Sequence, residues 1–399
     1  METPLIIFAL TYFVLAIGRV PGFRVDRTGA AIIGATAMIA FRVLSLKDAW
    51  LAIDFDTIAL LFGMMVVVAN LRLSGFFGLV SAWVVEHAHR PIVLLACIVL
   101  VSGAFSAFFV NDAVCLALTP IVLDVVTALG VNPIPYLLAL AMASNAGSVA
   151  TITGNPQNMM IGSFSGIPYR QFFAALSPVA AISLVLTVAV ICLLYPSEFR
   201  AGKRFTTKPS QVRLVRGVMW KSLSIAVGII AALFFGFPPP EVALAGGAIL
   251  LFTRRLKPER VYAEIDWSLL ALFAGLFIVI AGVEKAPLFE RLPQLTANLG
   301  LDRLAVLSFF SAVLSNIVSN VPAVLVFRPF MAHLANPTRG WLALAMSSTL
   351  AGNLTILGSV ANLIVLQRAR HKVKIGFWEY FRAGAPLTIL TIGLGILVL

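Results

Sequence analysis

Charge is scarce in this sequence: only 12% of its 399 residues are Asp, Glu, Lys or Arg, while 60% are apolar. A soluble protein keeps roughly 40–45% of its accessible surface polar, which so few charges cannot supply, so the composition reads as a polytopic membrane protein. Cysteine is rarer still. Cys97, Cys115 and Cys192 all lie inside apolar runs at no metal-ligand spacing, which excludes a disulfide framework or a structural zinc site. No Gly-rich phosphate loop followed by Lys is present, excluding an ATP-driven pump. The apolar runs also lack a His pair or a Ser-His combination; His87, His89 and His371 fall at span ends and His333 near the end of an apolar arm. The chain therefore reads as a protein without enzymatic activity and without a cofactor or metal.

What charge there is has a sign and a place. Basic residues exceed acidic ones by 29 to 17. They cluster at Arg19, Arg24 and Arg27; at Arg200, Lys203, Arg204, Lys208, Arg213, Arg216 and Lys221; at Arg254, Arg255, Lys257 and Arg260; and at Arg368, Arg370, Lys372 and Lys374. Every cluster flanks an apolar run, the pattern of the positive-inside rule. No soluble basic domain is left to bind nucleic acid. The first apolar run has no small-residue cleavage site after it and reads as a span, not a removed signal peptide.

At roughly 20 apolar residues per crossing, full spans are expected near 4–20, 26–43, 54–71, 136–166, 173–195, 217–236, 238–253, 267–283, 341–367 and 376–398. Two further apolar stretches, 92–129 and 304–335, are split by Asn111-Asp112 and by Ser319-Asn320-Val321-Pro322. Each follows an amphipathic stretch and meets a polar tip where a span should continue, so arm length favours re-entrant helical hairpins. With both termini outside, all four basic clusters fall in the cytoplasm. Trp50, Trp83, Trp220, Trp267, Trp341 and Trp378 fall near span ends, as interfacial anchors do.

The two halves repeat one another. Ile53-Asp54-Phe55 matches Ile265-Asp266-Trp267, and Gly63 then falls on Gly275. Ser106 through Pro120 lines up without gaps on Ser315 through Pro329, pairing Asn111 with Asn320. Thr151 through Asn158 lines up on Thr355 through Asn362, pairing Gly154 with Gly358. The chain thus divides into a first repeat (1–196), a basic cytoplasmic linker (197–216) and a second repeat (217–399), inverted relative to the first. The expected fold is all-α, with about ten full spans, two re-entrant hairpins and two broken helices (136–166 and 341–367). That is the architecture of secondary transporters.

Irregular backbone at membrane depth is tolerated only inside protein or along a watery cavity. The two tips and the two breaks, at Thr153-Gly154-Asn155-Pro156 and Leu357-Gly358-Ser359, each precede an apolar helix. Four helix N-termini therefore converge, with free N–H groups and partial positive charge. Pro156 suits a first turn, and Gly154 and Gly358 permit backbone turns that other residues resist. Such a site, with its Asn, Ser and Thr side chains, favours an oxygen-rich anion or neutral oxyacid. Isolated polar residues in spans are usually interhelical glue, but here they cluster at matched positions. Asp112 stands apart as the one carboxylate at a tip, opposite Val321 in the repeat. Acids at such depth are costly unless functional, so a proton-coupling role is preferred over simple helix capping. Arg328, the one basic residue well inside an arm, is expected to snorkel or pair.

At these motifs the sequence resembles a known group. Phe109-Val110-Asn111-Asp112-Ala113 with Leu118-Thr119-Pro120, and Ser319-Asn320-Val321-Pro322-Ala323-Val324-Leu325, resemble the two hairpins of arsenite-efflux permeases. Gly352 through Asn362 is similar to their second broken helix, and Ser144-Asn145 through Asn158 to the first across the wider ion-transporter superfamily. The resemblance implies an ion-gradient-driven carrier in a bacterial or archaeal cytoplasmic membrane. It would move a small anion or metalloid oxyacid by an elevator-like shift, with a scaffold that can form a homodimer among membrane lipids. It places Asn111, Asn155, Asn158, Asn320, Ser359 and Asn362 at the substrate, with Thr151, Thr153, Gly154, Ser319, Thr355 and Gly358 beside them. Asp112 carries the proton, and Ser144, Asn145 and Asn353 are candidate ion ligands. Sodium-coupled members carry Ser-Asn-Thr at each tip, whereas Val110-Asn111-Asp112 and Ser319-Asn320-Val321 stand here, which favours protons over sodium. Symport of a di- or tricarboxylate or inorganic anion, and sodium/proton antiport, remain the alternatives.

Overall fold

A computed structural model describes residues 3–18, 22–23, 25–200, 214–287 and 291–399. Arg19, Arg24, Lys203, Arg204, Lys208, Arg213 and most of the expected 197–216 linker lie outside the described residues. Every regular element among those described is helical. Helices α1 (Thr3–Ile17) and α2 (Arg27–Ala40) lead to the short α3 (Leu46–Ala52), the long α4 (Phe55–Leu73) and α5 (Phe76–His87). Paired arms α6 (Pro91–Phe108) and α7 (Asn111–Ala128) follow, then the interrupted helix α8 (Pro133–Ser148) and α9 (Pro156–Ser165), α10 (Tyr169–Leu194) and α11 (Pro196–Arg200). The second half repeats the order with α12 (Arg216–Phe234), α13 (Pro239–Leu251), α14 (Pro258–Tyr262), α15 (Trp267–Glu284) and α16 (Leu292–Leu299). It ends with arms α17 (Leu304–Val318) and α18 (Asn320–Met331), the interrupted α19 (Pro337–Ala351) and α20 (Val360–Ala369), and α21 (Phe377–Val398).

Matched caps start matched helices. Asp54 accepts from the Thr57 amide at 2.8 Å and its counterpart Asp266 from the Leu269 amide at 2.9 Å, opening α4 and α15. Asn132 and Asn336 do the same for α8 and α19, each followed by Pro in the first turn, where no N–H is needed. At α3, Ser45 and Asp48 form a capping box and Lys285 lies 3.3 Å from Asp48. Hydrogen bonds from Ser45 and then Lys285 hold the Asp48 carboxyl below its ordinary range.

Seven described helices are long and apolar enough to cross a bilayer alone. The spans expected at 4–20, 26–43 and 238–253 are shorter, with 15, 14 and 13 helical residues. For α2 the cause is a turn at Arg42, whose φ is +57°; the apolar residues beyond it, including the buried Leu44, pack as a turn. Arm length also fails as an argument for the first hairpin, because α6 and α7 have 18 residues each, about 27 Å at 1.5 Å per residue. Its tip identifies it instead, by lying against both helix breaks. Trp341 is likewise no interfacial anchor. It is 8% exposed and packs 6.3 Å from the Phe164 ring, whereas the other five tryptophans are exposed.

The repeats interlock across their matched glycines. A Cβ on Gly63 of α4 would sit 2.5 Å from the Ala243 backbone of α13, and one on Gly275 of α15 would sit 2.8 Å from the Ala31 backbone of α2. Ala31 and Ala243 are repeat counterparts, so the two crossings are one contact made twice. Helices α4 and α15 run antiparallel: Arg72 at the end of α4 pairs with Glu264 just before α15, while Ile53 before α4 and Ile278 late in α15 line one groove. The hairpins that follow α4 and α15 therefore enter from opposite faces, and the repeats are inverted.

Replacing Gly63 by Ala should lower thermal stability by about 1–3 kcal/mol through backbone displacement, measured by unfolding in detergent. Gly228→Ala, inside α12 where nothing lies within 4 Å, should not lower the midpoint and should raise it slightly through helix propensity.

Candidate functional site

Each of the four interruptions ends in a helix N-terminus, and all four line one cavity. The start of α7 contributes Asn111 and Asp112; the start of α9, Pro156 and Gln157. The second tip contributes Ser319, Asn320 and Val321, the second break Ser359 and Val360, and Leu269 of α15 closes the side. The cavity volume is about 30 Å³, where one water needs about 10–15 Å³. No Lys, Arg or His lines it among the described residues; the one ionisable group is Asp112.

A buried amide network holds the interruptions together. Asn145 of α8 is its hub. Its Oδ1 accepts from Asn111 Nδ2 at 3.1 Å and from Ser359 Oγ at 3.0 Å. Its Nδ2 donates to Asn353 Oδ1 at 2.9 Å and Asn362 Oδ1 at 3.0 Å. One residue thus ties the first tip to the second break. The reciprocal tie runs from Asn155 Nδ2 to Thr349 Oγ1 at 3.2 Å, Thr349 being the repeat counterpart of Asn145. Asn320, with its amide turned so that the nitrogen meets Ser348 O and Gly358 O at 3.0 Å each, accepts from Gln157 Nε2 at 3.2 Å.

Of the residues expected at the site, Asn111, Asp112, Ser319, Asn320 and Ser359 line the cavity. The rest brace the backbone around it. Asn155 caps α9 by accepting from the Asn158 amide at 2.8 Å. Asn158 Nδ2 donates to Ser148 O and Thr151 O, and Asn362 Nδ2 makes the matched bonds to Gly352 O and Thr355 O. Thr151 bonds Ala107 O, Thr153 bonds Tyr169 Oη at 2.9 Å, and Thr355 donates to Asn316 Oδ1 at 3.1 Å. Ser144 bonds Ser106 at 2.9 Å, and Asn353 donates to Met142 O at 3.3 Å. Ser144, Asn145 and Asn353 are thus engaged with protein.

Two expectations about backbone change. Neither Gly154 nor Gly358 has a positive φ; the tip residue with one is Ser319, at +78°. The glycines serve close approach, since a Cβ on Gly154 would strike Ser148 O and one on Gly358 would meet Asn316 Oδ1 at 2.8 Å. Arg328 stacks 4.4 Å over the Phe164 ring, away from the cavity. Sequence reasoning passed over Gln157 and Thr349. Gln157 stood inside a matched block, but opposite Ala361, so symmetry drew no attention to it. Among the described residues, no three His, Cys, Asp or Glu side chains group as a metal would need.

Comparison with known proteins agrees with this architecture. The chain matches the citrate transporter family profile over residues 10–351. It is 31% identical to an uncharacterized transporter of Mycobacterium tuberculosis, with 98% of this chain and 97% of the relative covered. It is 29% identical to a silicon efflux transporter of Oryza sativa, covering 98% and 95%. Against a putative transporter arsB of Dictyostelium discoideum the identity is 26%, covering 93% and 87%. The crystal structure of the Alcanivorax borkumensis YdaH transporter has TM-score 0.62 at 15% identity, over 99% of this chain and 96% of that one; this likeness bears on the fold alone.

Asn145→Leu should be among the most destabilising single changes at the site, because it strands buried partners in both repeats at about 1–3 kcal/mol each. Ser319→Gly should stabilise by about 1 kcal/mol by relieving the tip backbone. Thermal unfolding in one detergent compares the two, and equal shifts would remove the network from its central place.

Proposed function

The chain belongs to the citrate transporter family, and from that premise we propose that it is a proton-coupled secondary transporter of a small weak oxyacid, of the arsenite or silicic acid kind. The observation that carries the reading is the lining of the cavity: amides, hydroxyls and helix N-termini with one carboxylate, Asp112, and no cationic side chain among the described residues. A di- or tricarboxylate is ordinarily held by Arg or Lys in charge-assisted pairs. A neutral polyhydroxy acid needs donors and acceptors side by side, and only a few heavy atoms of room. The silicon efflux relative and the arsB relative support the same substrate class.

Asp112 is the proton carrier in this reading. As a carboxylate it accepts the proton that the substrate's movement exchanges; as a neutral acid it can hydrogen-bond the substrate. Helices α1–α4 and α12–α15 form the scaffold, and the hairpins, interrupted helices, α10 and α21 form the moving part. What supports this division is the sparse polar contact between the two. Among the described residues, Tyr12 Oη to Pro322 O at 3.0 Å and Ser163 Oγ to Asp54 Oδ2 at 2.8 Å are the side-chain hydrogen bonds that cross it. The protein sits in a cytoplasmic membrane with both termini outside, which places Arg254 and Lys374 within and Lys47 and Lys285 outside.

Two measurements test this. In proteoliposomes, arsenite or silicic acid should evoke a proton signal without sodium, and Asp112→Asn should abolish coupling by at least about 100-fold. Uptake of citrate, succinate, sulfate or phosphate that requires sodium and survives Asp112→Asn would instead assign a sodium symporter. In intact cells, single cysteines at positions 47 and 285 should react with an impermeant maleimide, and those at 254 and 374 only after lysis. Labelling of all four from outside would refute the orientation.

A further inference from the structure

We infer that Gln157 is a specificity-determining residue, whose Oε1 selects a hydroxyl-bearing form of the cargo; the inference rests on the oxyacid reading above and refines it. The argument is one of fixed amide orientations. The oxygen and nitrogen of an Asn or Gln amide are told apart by what their neighbours can donate or accept. Here the neighbours include backbone groups, whose donor or acceptor character cannot change.

Ser348 O and Gly358 O can only accept, so Asn320 must turn Nδ2 towards them. Its Oδ1 then faces Gln157, which must donate through Nε2 at 3.2 Å. Gln157 Nε2 gives its other proton to Thr349 Oγ1 at 3.0 Å. Asn155 is fixed in the same manner: its Oδ1 accepts from the Asn158 amide, so its Nδ2 also donates to Thr349 Oγ1. Both N–H groups of Gln157 are therefore engaged, and the polar atom it leaves for the cavity is Oε1.

The same bookkeeping covers the rest of the lining. Asn320 is fully engaged, and Ser359 Oγ donates to Asn145 while accepting from the Ala361 amide at 3.2 Å. Asn111 Oδ1 accepts from the Asp112 amide at 3.0 Å and its Nδ2 donates to Asn145, leaving one N–H. Among side chains, the donors that remain are that N–H and the Ser319 hydroxyl, beside the backbone N–H groups of the helix N-termini, and the acceptors that remain are Gln157 Oε1 and the Asp112 carboxylate. A ligand with its own O–H groups satisfies both acceptors. A fully ionised oxyanion or carboxylate sets lone pairs against lone pairs at Oε1. Sites built to bond a substrate hydroxyl reject analogues lacking it strongly.

Initial rates of arsenite and sulfate uptake into proteoliposomes at pH 7 test this, arsenite being a neutral trihydroxide there and sulfate a dianion without a hydroxyl. Wild type should take arsenite and exclude sulfate. Gln157→Leu should raise the arsenite KM by at least about tenfold. Gln157→Glu, which as a neutral acid keeps a carbonyl acceptor and one donor towards Asn320 Oδ1, should be less impaired than the apolar variant, and least so as the pH is lowered. If the Leu chain does not fold, Gln157→Met, with the same side-chain length, takes its place under the same expectation. A wild-type KM in the apolar variant overturns the inference. So does equal impairment of the Glu and apolar variants, which would reduce Gln157 to a tie between the second tip and α19. Wild type that moves neither arsenite nor silicic acid overturns the oxyacid reading itself, and is seen before any variant is compared.

Discussion

A break in a helix within a bilayer leaves backbone groups that lipid cannot satisfy. This protein places four such breaks together, and the arrangement persists because buried side-chain amides bond the exposed carbonyls and N–H groups. Asn158 and Asn362 each cross their own break to bond two carbonyls. Asn155 and Ser359 cap the helices that restart. Asn145 and Thr349 then join each repeat to the break of the other. The cavity exists because this scaffolding is complete behind it: the helix N-termini can point at a ligand only when the preceding half-helices are held by something else.

The same two-fold logic operates at the periphery with apolar means. Gly63 against Ala243 and Gly275 against Ala31 let backbones touch, which in a membrane takes the place of a hydrophobic driving force between helices. These contacts lie among α2, α4, α13 and α15, whereas the amide network lies among the hairpins and interrupted helices. Close-packed backbone recurs among the hairpins and interrupted helices, as at Gly147 against Gly103, but there the buried amides add a hydrogen-bonded frame. Few side-chain hydrogen bonds tie the two sets to each other.

Much of this was legible in the sequence. The tips, the breaks and the inverted pairing were marked by Asn, Gly and Pro interrupting apolar runs, and the helices resume at Asn111, Pro156, Asn320 and Val360. Span lengths were less legible, since apolar residues continue into turns and belong as readily to a buried loop as to a helix. Polar identity alone also did not tell a residue that faces the cavity from one that braces a break. Asn111 and Asn158 are the same residue type at equally apt positions. One lines the cavity and the other turns back onto Ser148 O and Thr151 O, because the backbone carbonyls of its own break lie within its hydrogen-bonding reach. Side-chain direction settles the matter, and it follows from packing between segments far apart in sequence.

Setting the matched and mismatched positions of the repeats beside each other gives a rule for this site. Matched pairs, Asn111 with Asn320 and Asn158 with Asn362, engage their amides chiefly in the frame. The groups with hydrogen-bonding capacity left over stand mainly at mismatched positions: Ser319 opposite Val110, Asp112 opposite Val321, Gln157 opposite Ala361. Both copies of the frame must close their breaks by the same geometry, so those residues cannot diverge without exposing backbone. A ligand of a few atoms, however, meets the two tips at one place and cannot satisfy two identical sets of groups around it. One copy can then carry the carboxylate and the amide acceptor while the other supplies apolar wall. Symmetry builds the cavity, and departures from it supply most of the side-chain groups left free in its lining.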